Sequence, residues 1–293
     1  MSIFERNRNH IVSSAFAFYD TQRIESENAQ NWFNYCIQVS EKAGYPFDQG
    51  FCSPGNTKYV LIKNCRKIFE KNIESLSSME LRSQADLNEI GDYGHMFAYF
   101  CNDYRRGFLI GHQCSFNKNS WHNIGVELCK ILRPTYAIFY EIPFAYSAEG
   151  YSSGYSNGLD INSSHWLFNS KHVDLSNRIK KWAKLTENSY DICSSGHLRE
   201  IYPINFINEL HLKYKVFSGT TLKDWIEADI HRGEVHQVTD ELYSWMIADE
   251  DLEYVTIELA KSDILLCVNK ENPQRYDYGV RPEDQIPIEP WHP

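Results

Sequence analysis

The segment 135–144 (TYAIFYEIPF) constrains the fold of this chain more than any other stretch. Most of its residues are aromatic or β-branched, the types that pack best on a pleated sheet, so it predicts a strand. The same criteria and the spacing of apolar residues predict further elements: strands over 11–19, 93–101 and 107–112, and helices over 25–43 and 120–132. Such a mixture indicates an α+β fold with mixed or antiparallel sheets flanked by helices.

Two segments of this first part are less regular. Residues 44–56 are rich in Gly, Pro and Asn, so they are predicted to form a loop. In residues 57–75, a helical spacing of apolar side chains is favoured over a strand at 59–62.

The second part of the chain also mixes helices with strands. Residues 197–212, which include Pro203, are predicted to form a buried loop and a short helix. The other elements expected here are helices over 172–185, 220–229 and 249–263, a strand over 234–247 and a closing strand over 264–268. We expect four apolar side chains to be mostly buried, namely Trp182, Leu222, Trp225 and Ile226.

The chain is long enough, at 293 residues, for two small domains of about 100–200 residues each. Residues 148–166 are rich in Gly, Ser and Asn and poor in apolar residues, so they are predicted to be a connector. The expected organisation is an N-terminal α+β half at 1–147, a C-terminal α+β half at 167–270 and a Pro-rich tail at 271–293. This division allows the two halves to be related α+β units.

The helix predicted over 172–185 is basic and amphipathic. We expect its cations to lie on a face that contacts water, and an RNA contact is the alternative interpretation. The cations are Arg178, Lys180, Lys181 and Lys184.

Charge is distributed unevenly along the chain. From Thr220 to the end, 17 Asp and Glu residues stand against 6 Lys and Arg, whereas residues 1–219 carry 22 against 23. An acidic surface repels phosphate backbones and anionic lipids, so nucleic acid and membrane are excluded as expected partners and a basic protein is favoured.

Four carboxylates form the densest acidic cluster in this region. One interpretation is the start of a helix, whose dipole favours negative charge, and the other is a docking face for a basic partner. We take the four as candidate partner-binding residues: Asp249, Glu250, Asp251 and Glu253.

Motifs for catalysis are sparse. Residues 154–158 match G-x-S-x-G around Ser156, but the preceding predicted strand ends about ten residues too early for a nucleophile elbow. His95 and His112 could meet across adjacent strands, with Asp103 in the turn between them. A serine or metal-dependent hydrolase that uses Ser156 or the His95/His112 pair is therefore one alternative.

Zinc-type spacings and phosphate-binding glycine loops do not occur in the sequence, so neither a metal nor a cofactor is expected.

The eight cysteines indicate a reducing compartment. They contain no C-x-x-C pair and several sit within apolar runs, so we expect buried free thiols.

The apolar run 11–19 is too short for a signal peptide and is interrupted by serines, and a membrane span would need about 18–20 apolar residues. The expected location is the cytoplasm.

Residues 198–238 resemble a stretch of bacterial immunity proteins that accompany polymorphic and type VI secreted toxins. In that stretch, an Arg–acid–(Ile/Val)–Tyr–Pro–x–Asn block precedes a T-L-x-x-W-I helix. The matching positions are Arg199, Glu200, Tyr202, Pro203, Asn205, Thr221, Leu222, Trp225 and Ile226. The resemblance implies a cytoplasmic binding protein that neutralises a cognate toxin and carries no catalytic residues.

The residues and the resemblance lead to the same functional hypothesis. The chain is expected to be a non-enzymatic immunity protein, or antitoxin, that binds a cognate toxin through an acidic, aromatic-rich surface, since Tyr and Trp are favoured as interface anchors. Besides the hydrolase, a second alternative is an adaptor protein without a toxin partner.

Overall fold

The computed structural model describes residues 12–83, 95–112, 114–143, 147–153, 170–187, 191–271 and 273. Within these ranges the strands are β1 (Val12–Thr21), β2 (Gln49–Ser53), β3 (Val60–Leu61), β4 (Ser78–Arg82), β5 (Met96–Cys101), β6 (Arg106–His112), β7 (Pro134–Pro143), β8 (Ile204–Asn208), β9 (Lys215–Phe217), β10 (Thr220–Thr221), β11 (Glu234–Gln237) and β12 (Leu242–Met246). The helices are α1 (Ser26–Lys42), α2 (Ile62–Asn72), α3 (Lys118–Leu132), α4 (Ala148–Ser153), α5 (Ser170–Thr186), α6 (Glu209–Lys213), α7 (Leu222–Glu227) and α8 (Leu252–Ala260).

Ten of these strands form one antiparallel sheet. Its order is β11-β12-β8-β7-β1-β6-β5-β4-β2-β3, and β9 and β10 pair separately. The predicted α+β class with helices flanking an antiparallel sheet is therefore confirmed. The segment 135–144 becomes β7 and lies beside the central β1, with Phe16 of β1 opposite Phe139.

Alternate residues of the strands face two separate cores, as the two-residue period of a strand requires. On one face, α1, α2 and α3 pack in one core with the sheet, and the ring of Phe16 in β1 contacts that of Trp121 in α3 at 5.9 Å between centroids. On the other face, Tyr19 meets Trp182 of α5 at 5.2 Å, and α4, α7 and α8 add to the same core. The expected burial of the four apolar side chains is confirmed: Trp182, Leu222, Trp225 and Ile226 are at most 5% exposed.

Strands from both sides of the predicted connector enter the same sheet, because β7 pairs with β8. Residues 148–153 form α4 instead of irregular chain, since Tyr151 is fully buried and the hydroxyl of Tyr140 donates to the carbonyl of Ala148. The rest of 148–166, and all of the tail except 271 and 273, lies outside the described residues. The division into two halves stays a prediction.

Two segments expected to be loops contain strands. β2 lies within 44–56, and its Gly50 is required because a Cβ there would meet Sγ of Cys65 in α2 at 2.5 Å. β8 follows Pro203 within 197–212 and is held by β7 on one side and β12 on the other. In both cases tertiary pairing outweighs the local Gly and Pro signals.

Two further expectations needed correction in the C-terminal region. Residues 234–247 form the β11–β12 hairpin rather than one strand. Residues 264–268 do not form a closing strand: their backbone makes an isolated parallel bridge, Leu198 with Leu265, instead of joining the sheet. Their apolar side chains are buried against the second core, which explains why the segment resembles a strand in sequence.

The basic helix has one buried cation, and the cysteines are free thiols. Arg178 was expected to contact water, but it is buried: it is 3% exposed and paired with Glu200. All eight cysteines lie in the described ranges and are free, and seven of them are buried, as predicted. None of the described helices has the length and hydropathy needed to cross a membrane.

Candidate functional site

Two segments of the acidic part of the chain lie side by side at the surface. The first is the 3₁₀ turn Ile230–Arg232 and the second is the 3₁₀ turn Asp249–Asp251, which leads into α8. Nδ1 of His231 lies 3.0 Å from Oδ1 of Asp251, and the hydroxyl of Tyr254 donates to Oδ2 of Asp229 at 3.4 Å. These contacts place 229–233 and 249–254 side by side, and we call the two together the acidic surface.

The four carboxylates predicted as partner-binding residues all belong to the acidic surface. Asp249, Glu250 and Glu253 are exposed, and the side chain of Asp251 is 20% exposed. Asp249 accepts an ion pair from Nζ of Lys118 at 2.9 Å. Their place before and within the first turn of α8 also suits the helix dipole, so the two interpretations of this cluster are compatible.

The charge around these carboxylates is strongly negative. Residues 222–258, all of them described, contain 11 Asp and Glu against 2 Lys and Arg. The backbone N–H of His231 and then the charge of Arg232 hold the pKa of the Asp229 carboxyl below its usual range, so it stays ionised at neutral pH. The acidic surface itself carries one Arg and no Lys, namely Arg232, against five carboxylates, and Lys118 from α3 pairs with one of these, Asp249.

The residues that carry the family resemblance lie in the interior instead. Arg199, Glu200, Tyr202 and Asn205 are all at most 4% exposed. Oδ1 of Asn205 accepts from the backbone N–H of Tyr202 at 3.2 Å, and its Nδ2 donates to the Tyr202 carbonyl at 2.7 Å. This pair of bonds fixes the bend of the chain as it enters β8.

Two of these residues supply charge to a buried network beneath α5. Nη1 of Arg178 donates to Oε2 of Glu200 at 2.9 Å, and the hydroxyl of Tyr151 donates to the other oxygen of Glu200 at 3.3 Å. The guanidinium of Arg199 lies 4.0 Å from the Tyr151 ring centroid and donates to the Tyr19 hydroxyl at 3.2 Å. The network ties α4 and α5 to the central strand β1.

The second block of the resemblance builds α7. Oγ1 of Thr221 accepts from the backbone N–H of Asp224 at 3.2 Å and so caps the helix. Leu222, Trp225 and Ile226 face the core. Both blocks therefore maintain the framework of the fold, and the surface available to a partner is formed by other residues.

The residues proposed for a hydrolase are not assembled into a catalytic site in the described structure. His95 and His112 are cross-strand neighbours, as expected, with the backbone N–H of His112 donating to the carbonyl of His95 at 2.8 Å. Asp103 lies in the turn at the other end of the β5–β6 hairpin, about 20 Å away at roughly 3.3 Å per residue, so the alternative of a His–His–Asp site does not form. Ser156 lies outside the described residues.

The environment of each histidine suits a structural role. Nδ1 of His112 lies 2.8 Å from Oγ of Ser13, and burial followed by the charge of His95 lowers the pKa of His112 to about 3. The His95 ring stacks on Tyr45 at 4.0 Å. Within the described ranges, no three His, Cys, Asp or Glu side chains are grouped so that they could hold a metal ion.

A serine–histidine contact that the sequence analysis did not single out occurs at 195–197. Oγ of Ser195 donates to the carbonyl of Ile192 at 2.6 Å, so its 2.8 Å contact with Nδ1 of His197 requires the imidazole to donate. Nε2 of His197 then accepts from the hydroxyl of Tyr214 at 3.2 Å. A serine whose oxygen accepts a hydrogen bond from the imidazole N–H cannot pass its own proton to that nitrogen, so it is not activated as a nucleophile. In the sequence this contact appears only as a Ser and a His two residues apart, a spacing too common to indicate a site.

One cleft, of about 400 Å³, opens beside α5 and is lined by Arg178, Lys181 and Lys270 among others. Arg178 is paired with Glu200, and Lys270 is hydrogen-bonded to Asp263. Carboxylates therefore offset two of the three cations that line the cleft.

Known proteins offer a likeness in fold but not in sequence. No protein-family model and no curated protein sequence matches the chain. A solved structure with a similar fold is the Pseudomonas aeruginosa T6SS protein PA0821, with a TM-score of 0.50. The similarity covers 87% of this chain and 73% of that chain at 7% identity, so it is a likeness of fold.

Proposed function

We propose that this protein is a non-enzymatic cytoplasmic immunity protein that binds a cognate secreted toxin and neutralises it without a cofactor. The observation that carries the proposal is the acidic surface, where exposed carboxylates greatly outnumber cations. Two likenesses support it: the fold is similar to that of a T6SS protein, and residues 198–238 resemble immunity proteins of type VI secreted toxins.

Electrostatics define the kind of toxin that this surface would bind. A negative field attracts a basic partner and raises the association rate by about tenfold or more. The effect weakens as salt is added, because the Debye length falls from about 30 Å at 0.01 M to about 8 Å at 0.15 M. The cognate toxin is therefore expected to present Lys and Arg side chains to the acidic surface.

Rescue of growth is the first test of the proposal. Co-expression with the toxin encoded by the neighbouring gene should restore growth, and purified protein should abolish toxin activity at one equivalent. A hydrolase would act at a much lower ratio, and an adaptor would give neither rescue nor complex. Ser156→Ala and His95→Ala should keep the rescue. Loss of rescue by either variant in a folded state would favour the hydrolase.

Association kinetics test whether the acidic surface is the interface. Changing Asp249, Asp251 and Glu253 together to Lys should slow association with the purified toxin domain and flatten its dependence on salt. The matched control changes three exposed carboxylates of the N-terminal half to Lys, with the same effect on net charge, namely Glu41, Glu70 and Glu74. If both triple variants slow association equally, only net charge matters and the interface lies elsewhere.

A further inference from the structure

Ile230 is the most exposed large apolar side chain among the described residues. It is 84% exposed, whereas the next, Tyr104, is 61% exposed. A single exposed isoleucine needs no explanation by itself. Its setting within the acidic surface is what distinguishes it.

The turn that carries Ile230 is held rigidly. Oδ1 of Asp229 accepts from the backbone N–H of His231 at 3.0 Å, and Nη1 of Arg232 donates to the Trp225 carbonyl at 2.7 Å. The turn ends at Gly233, whose φ of +85° favours glycine and whose Cβ, if present, would lie 2.1 Å from the Met246 carbonyl oxygen.

A rigid turn has little backbone conformational entropy left to lose on binding. Indole Nε1 of Trp245 donates to the carbonyl of Arg232 at 2.8 Å and fastens the turn to β12. Preorganisation of this kind raises affinity because ordering costs are already met in the unbound protein.

The surroundings of Ile230 indicate what it would bind. Asp229 and His231, its two neighbours in the chain, contact Tyr254 and Asp251, so the turn that carries the exposed isoleucine lies beside the start of α8. Tyr254 is itself 39% exposed. An apolar centre with an aromatic neighbour and an acidic rim is complementary to an apolar pocket with a basic rim.

We propose that Ile230 is the apolar anchor of the toxin interface, entering an apolar pocket on the basic toxin whose rim carries Lys or Arg side chains. The inference rests on the proposed function and deepens it. It assigns the slow dissociation of the complex to Ile230 and the fast association to the carboxylates. Desolvated anchors mainly set the dissociation rate, whereas rim charges mainly set the association rate.

The test is a kinetic measurement with the toxin domain that the wild-type protein neutralises in the rescue assay. Ile230→Ala should raise the dissociation rate by about tenfold or more and leave the association rate within about twofold. The matched control is Leu61→Ala, which removes an exposed apolar side chain from β3, the opposite edge strand from β11, and should change neither rate. Because Ile230 and Leu61 are both exposed, both variants should keep the wild-type circular dichroism spectrum.

The outcomes separate this inference from the proposed function. If the wild type binds and Ile230→Ala dissociates no faster, the anchor is wrong while the immunity function stands. If Leu61→Ala accelerates dissociation as much as Ile230→Ala, the effect is not specific to the acidic surface and the anchor is likewise overturned. If the wild type neither binds nor neutralises the toxin, both proposals fall.

Discussion

Two charge-rich regions of the molecule use charge in opposite ways. In the network beneath α5, the side chains of Arg178 and Glu200 are 3% and 5% exposed and form an ion pair of 2.9 Å. On the acidic surface, Asp249, Glu250 and Glu253 face water with few cations nearby. A buried charge must be offset by a partner within the protein, whereas hydration lets like charges accumulate outside.

The difference identifies which charges serve the fold and which are available to a partner. Removing the carboxylate of a buried pair leaves an uncompensated charge in the interior, which is costly. Removing one of several exposed carboxylates relieves repulsion as well as losing a weak pair, so the net effect on folding is small. The contrast predicts the largest loss of stability at the buried pair and the smallest at the acidic surface.

Glu200→Gln should have the largest effect on stability. It removes the charge that offsets Arg178 and should lower the free energy of unfolding by about 3–5 kcal/mol. Urea denaturation followed by tryptophan fluorescence measures the loss. The matched control is Glu209→Gln, since Glu209 pairs with Lys213 at a similar 2.8 Å but both side chains are more than 60% exposed. The control should cost less than about 1 kcal/mol, and equal costs would refute the contrast between the regions.

The buried and exposed histidines extend the comparison to pH. Burial, only partly opposed by a hydrogen bond to the His197 carbonyl, lowers the pKa of His211 to about 3, and His112 has a similar value. The unfolded chain binds these protons below about pH 6.5 and the folded chain only near pH 3, so stability is lost as pH falls between those values.

Each of the two buried histidines should contribute a slope of up to about 1.4 kcal/mol per pH unit in that window. Urea denaturation between pH 6 and pH 5, above the range in which ordinary carboxylates titrate, measures it. His112→Asn should lower the slope by up to about 1.4 kcal/mol per pH unit and leave the rest, because the pKa values of His122, His197 and His211 are lowered by burial as well. A pH-independent stability would show that neither buried imidazole is kept neutral by the fold.

The sequence predicted the elements whose local pattern agrees with their tertiary surroundings. The strand over 135–144 and the helix over 120–132 form as expected, the latter with Asn117 as its N-cap and Pro134 beyond its end. β2 and β8 could not be predicted because Gly50 and Pro203 suggest loops, and the reasons that strands form there lie in α2, β7 and β12.

The site was predictable in composition but not in detail. A run of carboxylates at the start of a helix is expected to face water, and the residues at 249–253 mostly do. A helical pattern shows that Arg178 is on a polar face but not that Glu200 covers that face. An isoleucine in sequence suggests core, so the exposure of Ile230 becomes visible only when the turn at 229–233 is in place.

Thr221→Ala should have a smaller effect than the changes in the buried network. The hydroxyl of Thr221 caps α7 by accepting from the Asp224 N–H, and losing such a cap costs about 1 kcal/mol. Thr221→Ser keeps the hydroxyl and should recover most of the loss in thermal denaturation. If Ala and Ser are equivalent, the cap contributes nothing and the packing of Trp225 and its neighbours alone holds the helix.

The smallest effect on stability is expected where the largest effect on association is expected. Changing Asp249, Asp251 and Glu253 to Lys removes the exposed pair with Lys118, the contact of Asp251 with His231 and the favourable charges at the start of α8, but it also reduces the repulsion among the surrounding carboxylates. Because these terms oppose one another, the free energy of unfolding should change by no more than about 1 kcal/mol. Urea denaturation beside the control triple variant at Glu41, Glu70 and Glu74 measures this. A loss of about 3 kcal/mol or more would mean that the acidic surface supports the fold as the buried network does, and slower association could then no longer be assigned to lost steering.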